Sequence, residues 1–125
     1  MTGGSSGFGA ITLQQLRTLP GSRVFSGSRQ GDTAESFALD LTRLDSVRDF
    51  ADRVIRDLAG EQIDILILNA GTQYPDDTQR TPDGFEATFA VNHLAHFLLL
   101  RLLQPHLARK ATVVLTTSGT YDPAE

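Results

Sequence analysis

Two short aliphatic runs constrain this chain more than any other feature. Residues 63–68 read Ile-Asp-Ile-Leu-Ile-Leu, and residues 112–117 read Thr-Val-Val-Leu-Thr-Thr. Runs so nearly continuous suit strands covered on both faces, the setting of a parallel sheet. Parallel neighbours cannot be joined by a tight turn, because the chain must first return to the same end of the sheet. Residues 84–103 supply that return as a long helix, apolar on most sides and stopped or kinked by Pro105.

The same alternation fills the rest of the chain. Ile11, Leu13, Leu16 and Leu19 predict a helix from Gly7 or Gly9 to Leu19, ended by Pro20-Gly21. Residues 23–26 and 36–39 are short strand candidates. Leu44, Val47, Ala51, Val54, Ile55 and Leu58 keep helical spacing, and Gly60 closes that helix. Residues 72–83 read as a polar loop with two prolines. Strands separated by helical stretches are βαβ units, whose right-handed crossovers put helices on both faces of the sheet. The expected fold class is therefore α/β, a Rossmann-type doubly wound parallel sheet, in a single domain over residues 1–125.

Charge and cysteine content exclude several functions. Eleven Lys and Arg stand against 15 Asp and Glu, a net charge of −4. Nucleic-acid backbones call for a basic patch, so no nucleic-acid partner is expected. The chain has no cysteine, which removes disulfides, thiolate zinc sites and cysteine nucleophiles together. His93 and His96 are three apart on a helix, a spacing that can bind metal, but no acidic residue stands at a matching position; no metal is assigned. Asp76-Asp77 reads as a solvated turn. The apolar stretch 94–103 is interrupted by His96 and Arg101 and is too short for a membrane span. With no secretory leader at residues 1–20, the expected location is cytoplasmic.

Residues 2–9, Thr-Gly-Gly-Ser-Ser-Gly-Phe-Gly, run directly into the first helix. A glycine loop entering a helix can cradle a phosphate, because the helix start presents free N–H groups and a partial positive charge. The spacing, Gly-x-x-x-Gly-x-Gly, differs from both the Gly-x-Gly-x-x-Gly fingerprint and the Walker loop. Taken alone, it also fits a flexible Gly/Ser terminus. Sites that prefer NAD place an acid about 20 residues after the glycines, to hold the ribose hydroxyls. Here the chain reads Gly27-Ser28-Arg29, with no carboxylate until Asp32. An arginine beside a hydroxyl suits a 2′-phosphate, so the local chemistry favours NADP(H) over NAD(H). The other reading of Arg29 is a solvated surface arginine.

Four segments in order resemble the short-chain dehydrogenase/reductase family. Thr2-Gly3-x-x-x-Gly7-x-Gly9 resembles its cofactor loop, and Asp40-Leu41-Thr42 its motif after the third strand. Leu68-Asn69-Ala70-Gly71 is similar to its Asn-Asn-Ala-Gly, with leucine for the first asparagine. Thr116-Thr117-Ser118 sits where the family carries its catalytic serine. Asp83-Gly-Phe-Glu with Val91-Asn92-His93-Leu94-Ala95-His96-Phe97-Leu98 looks most like the branch holding retinol dehydrogenases and protochlorophyllide reductases.

The resemblance implies roles. Gly3, Gly7, Phe8 and Gly9 would bind the pyrophosphate and adenosine ribose through the backbone, with Ser5 adding a hydroxyl. Ser28 and Arg29 would meet the 2′-phosphate, and Asp40 and Leu41 the adenine. Asn69, Ala70 and Gly71 would line the nicotinamide-side ribose. Catalytic roles fall to Asn92, anchoring a water of the proton relay, and to Ser118, bonding the oxygen of a small carbonyl or alcohol substrate. A homo-oligomer is the implied state of the full-length form.

Two family features are not met. The family's Tyr-x-x-x-Lys pair does not follow Ser118; Tyr121 lies too close to the serine, and its fourth neighbour is Glu125. Only Met1 precedes Thr2, where the family runs an apolar strand into the loop. The family's strand order, 3-2-1-4-5, makes that strand central. The expectation is thus an oxidoreductase fragment lacking its first strand and C-terminal half, inactive alone. A non-catalytic NADP-binding module and a non-functional remnant are the alternatives. Whether the strands flanking the vacancy stay apart or re-pair is left open by sequence.

Overall fold

The computed structural model describes residues 1–31 and 36–118. Asp32, and Tyr121 with the loop around it, lie outside the described residues. Helix α1 spans Gly7–Thr18, β1 Gly27–Ser28, β2 Phe37–Ala38, α2 Leu44–Leu58 and β3 Ile63–Leu68. Helix α3, Ala87–Phe89, passes through a π turn, Ala90–Leu94, into α4, Ala95–Leu103; a 3-10 turn then leads to β4, Leu107–Leu115.

Strand β1 pairs with β2, and β3 with β4, both in parallel. Strands β1 and β3 do not pair with each other. Met1 and Thr2 bridge them instead. The Gly27 N–H donates to the Met1 carbonyl and the Thr2 N–H to the Ile67 carbonyl, both at 3.0 Å. The order across the sheet is β2, β1, residues 1–2, β3, β4. Below that bridge a cavity of about 270 Å³ passes between Val24-Phe25 and residues 63–67, reached by Leu16 of α1, by Leu19 just after it, and by Phe50, Val54 and Leu99 of α2 and α4. Crossovers run outward from residues 1–2 to β1 and back from β2 to β3. Right-handed connections therefore set α1 on one face and α2 with α4 on the other.

Helix α2 shows why the core sits where it does. Val47, Phe50, Ala51, Val54 and Leu58 form its buried stripe, and Ala59 (φ +50°) and Gly60 (φ +93°) turn the chain out of the helix. Its start is tied from a distance, since the Leu44 N–H donates to Asp83 Oδ2 at 2.9 Å. The stripe packs with Leu66, Leu68, Ala95, Leu99 and Leu103 into one core.

Three expectations need correction. The long helix starts at Ala87, not Gly84: Gly84 has φ +87°, and Glu86 caps the helix by accepting from the Thr88 and Phe89 N–H groups at 2.8 and 2.6 Å. Those amides, Phe89 first, hold the Glu86 carboxyl below its ordinary value. Strand β4 begins at Leu107, five residues early, because Leu107 pairs with Ile63 across a register irregularity. Two-sided burial holds only in part. Leu66 and Leu68 are buried, but Ile65 of β3 and Val113, Val114 and Leu115 of β4 are 41–60% exposed, so no layer among the described residues covers them.

Candidate functional site

A cleft of about 670 Å³ opens along the ends of the strands where the helices begin. Its first wall is the glycine loop. Gly9 sits against that loop so closely that a Cβ there would lie 2.1 Å from the Gly3 carbonyl oxygen, so only glycine fits. Gly7 is the opposite case. It has φ +55°, and a Cβ there would meet nothing within 4 Å, so its backbone stands open to the cleft it lines. Ser6 precedes α1 with no side-chain cap, and no acid stands in the first turn. The positive end of α1 thus has no counter-charge in its own first turn, an arrangement suited to an anion.

The opposite wall is joined to the loop by hydrogen bonds. Thr2 is buried, and its hydroxyl accepts from the Asn69 and Ala70 N–H groups, both at 3.0 Å. Asn69 Nδ2 donates to the Gly3 carbonyl at 3.2 Å, and the Thr116 hydroxyl donates to Asn69 Oδ1 at 2.9 Å. The glycine loop and the ends of β3 and β4 are one hydrogen-bonded unit. Asn69 is committed to it through both side-chain atoms and its backbone N–H.

The cleft gathers most of the residues singled out by sequence. Gly3, Ser5, Gly7, Phe8 and Gly9 line one side, Ser28, Arg29 and Leu41 one end, and Asn69, Ala70, Gly71 and Ser118 the other side. Asp40 and Asn92 do not line it. Asp40 Oδ1 accepts from the Thr42 N–H at 2.9 Å and the Thr42 hydroxyl at 2.7 Å, building the turn into α2. Asn92 pairs its amide with the Thr72 peptide group in both directions. Its Oδ1 accepts from the Thr72 N–H at 2.8 Å, and its Nδ2 donates to the Thr72 carbonyl at 2.7 Å. Thr72 itself faces the cleft, so Asn92 props the wall from behind.

Other residues enter to which the sequence reading assigned no role at the site. Thr42, Thr72, Tyr74, Val91, Thr116 and Thr117 also line the cleft. Tyr74 carried a faint signal, as an aromatic in a polar loop three residues after Gly71. His96 carried a stronger one, a polar residue on the apolar face of a helix; its partner is Thr2, at 2.9 Å. Among the described residues no group of three or more His, Cys, Asp or Glu is placed to hold a metal ion, and no helix is long and apolar enough to cross a membrane.

A family model for short chain dehydrogenases matches residues 1–122. Retinol dehydrogenase 14 of Mus musculus is 35% identical over 100% of this chain and 45% of its own length. Protochlorophyllide reductase A, chloroplastic, of Arabidopsis thaliana is 38% identical over 82% of this chain and 29% of its own. Among solved structures, a short chain dehydrogenase from Burkholderia cenocepacia, crystallised with NADP, is alike at a TM-score of 0.76 and 25% identity, covering 99% of this chain and 56% of that one. The chain spans less than half the length of these curated relatives.

Proposed function

The chain belongs to the short-chain dehydrogenase/reductase family of oxidoreductases, and from that premise we propose that it forms the NADP(H)-binding part of an enzyme acting on a carbonyl or alcohol. One observation carries this reading: a single continuous cleft runs from Arg29, past the open end of α1, to Asn69, Ala70, Gly71 and Ser118. A dinucleotide needs a long site with an anion-binding centre, and the uncapped start of α1 is placed midway.

The residues present fit the cofactor. The backbone at Gly7, Phe8 and Gly9 holds the pyrophosphate. Ser28 and exposed Arg29 meet the 2′-phosphate, the guanidinium by charge and paired donors. Leu41 lies against the adenine, and Asp40 acts by shaping the turn that presents it. Residues 69–71 border the nicotinamide-side ribose. NADP(H), when bound, supplies hydride transfer. The Ser118 hydroxyl, at that end of the cleft, bonds the substrate oxygen. Asn92 acts through Thr72. In this reading residues 1–125 form one partial dinucleotide-binding domain, and turnover belongs to a protein that also carries a proton-donating pair.

Titrating Arg29→Ala with NADPH and with NADH tests the cofactor assignment. A charged hydrogen bond is worth about 1.5–3 kcal/mol, so NADPH should bind roughly 10- to 150-fold more weakly, with NADH affinity nearly unchanged. Equal losses for both cofactors would overturn the 2′-phosphate assignment.

A further inference from the structure

The hydrogen bonds around Thr2 fix the state of a buried histidine. A hydroxyl offers one proton and two acceptor positions. In Thr2 both acceptor positions are taken, by the N–H groups of Asn69 and Ala70. Its proton must go to the third neighbour, His96 Nε2, at 2.9 Å. Nε2 is then bare, and the ring proton sits on Nδ1, 3.3 Å from the Asn92 carbonyl oxygen. We propose that His96, as the neutral Nδ1–H tautomer, is a positioning residue that orients the Thr2 hydroxyl and so clamps the glycine loop to residues 69–71.

A proton on Nε2 would turn an N–H toward a hydroxyl with no acceptor position left. Thr2 would have to release Asn69 or Ala70, the segment that borders the nicotinamide end in the function proposed above. Water cannot take over, since Thr2 and His96 are only 1% and 3% exposed. Burial, and in smaller part His93, holds His96 below the ordinary histidine value, against the opposing pull of the Asn92 carbonyl. The core under α4 is aliphatic and aromatic and adds no charge. Among the described residues the other group that burial lowers is the Met1 amino group, one residue before Thr2 in the chain, from 8.0 to about 5.

A depressed histidine takes up its proton more readily in the unfolded chain. Its contribution is complete above pH 6.5 and is lost as pH falls from there through the folded value. The Met1 amino group acts in the same direction between about 8 and 5, and the 2′-phosphate of NADPH titrates near 6. A difference between two proteins that share these groups isolates His96.

His96→Gln keeps an acceptor for the Thr2 hydroxyl without a titrating ring. Thermal melts and NADPH titrations of both proteins from pH 8 to pH 5 make the comparison. From pH 7 to 5.5 the wild-type midpoint should fall more steeply than that of the variant, and its NADPH affinity should weaken more as the folded histidine takes up its proton. Parallel curves overturn the proposal. Nitrogen-15 NMR of the wild-type imidazole gives a decision even if the variant fails to fold: a protonated Nδ1 with a bare Nε2 supports it, and the reverse tautomer refutes it. The affinity arm rests on the cofactor reading. If neither protein binds NADPH at any pH, that reading fails, while the melts and the tautomer still decide the role of His96.

Discussion

The two faces of the sheet are finished to different degrees. On one, α2 and α4 close over Leu66 and Leu68 with a continuous core in which Val47, Ala51, Ala95 and Leu99 are fully buried. On the other, α1 buries only Gly9 and Leu13, leaving Phe8 and Ile11 more than half exposed. The difference separates two reasons for making a helix. Helix α2 exists to bury a stripe. Helix α1 is anchored at its glycine end, where the Gly9 backbone meets Gly3 and Asn69, and its value lies in the amides it presents there.

Substitutions on the two faces should therefore differ by an order of magnitude. Leu99→Ala empties a fully buried site in α4 and should cost about 2–5 kcal/mol in urea unfolding. A loss under about 1 kcal/mol would mean that the closed face is not the one that holds the fold. Gly9→Ala comes next. Its Cβ would press on the Gly3 carbonyl, and the backbone shift should cost about 1–3 kcal/mol. It should also weaken NADPH binding, whereas Leu99→Ala should leave affinity intact in the folded fraction. Ile11→Ala, on the exposed flank of α1, should change stability by less than about 0.5 kcal/mol. Should Ile11→Ala cost as much as Leu99→Ala, the contrast between the faces would be lost.

How much of this was legible in sequence depends on how local each cause is. Helix α2 could be read from Leu44 to Leu58, because its stripe and the glycine that ends it are written into consecutive residues. Strand β4 could not be read to its first residue. Nothing in Leu-Ala-Arg-Lys-Ala, 107–111, resembles a buried strand, and pairing with Ile63 draws it in. Exposure of Ile65 was hidden for the same reason: an aliphatic residue does not say whether a layer lies over it. The open sheet was undecidable because re-pairing would set lost hydrogen bonds against a moved backbone. At the cleft, local pattern located the glycine loop and Arg29, and the family resemblance pointed to residues 69–71 and Ser118; all of them line it. Asp40 and Asn92 do not line it; their side chains bond a turn and a neighbouring peptide, partners that residue type alone does not reveal. The partner of His96 could not be read, because Thr2 stands 94 residues away in the chain.

The bridge at Met1 and Thr2 has a mechanical consequence. It is the strand-like tie between the β1–β2 pair and the β3–β4 pair, and the cleft borrows one end from each. Residues 1 and 2 thus join the wall that carries Ser28 and Arg29 to the wall that carries Asn69, Gly71 and Ser118. A ligand lying across both walls would add a second connection between the two strand pairs, beside the core they already share.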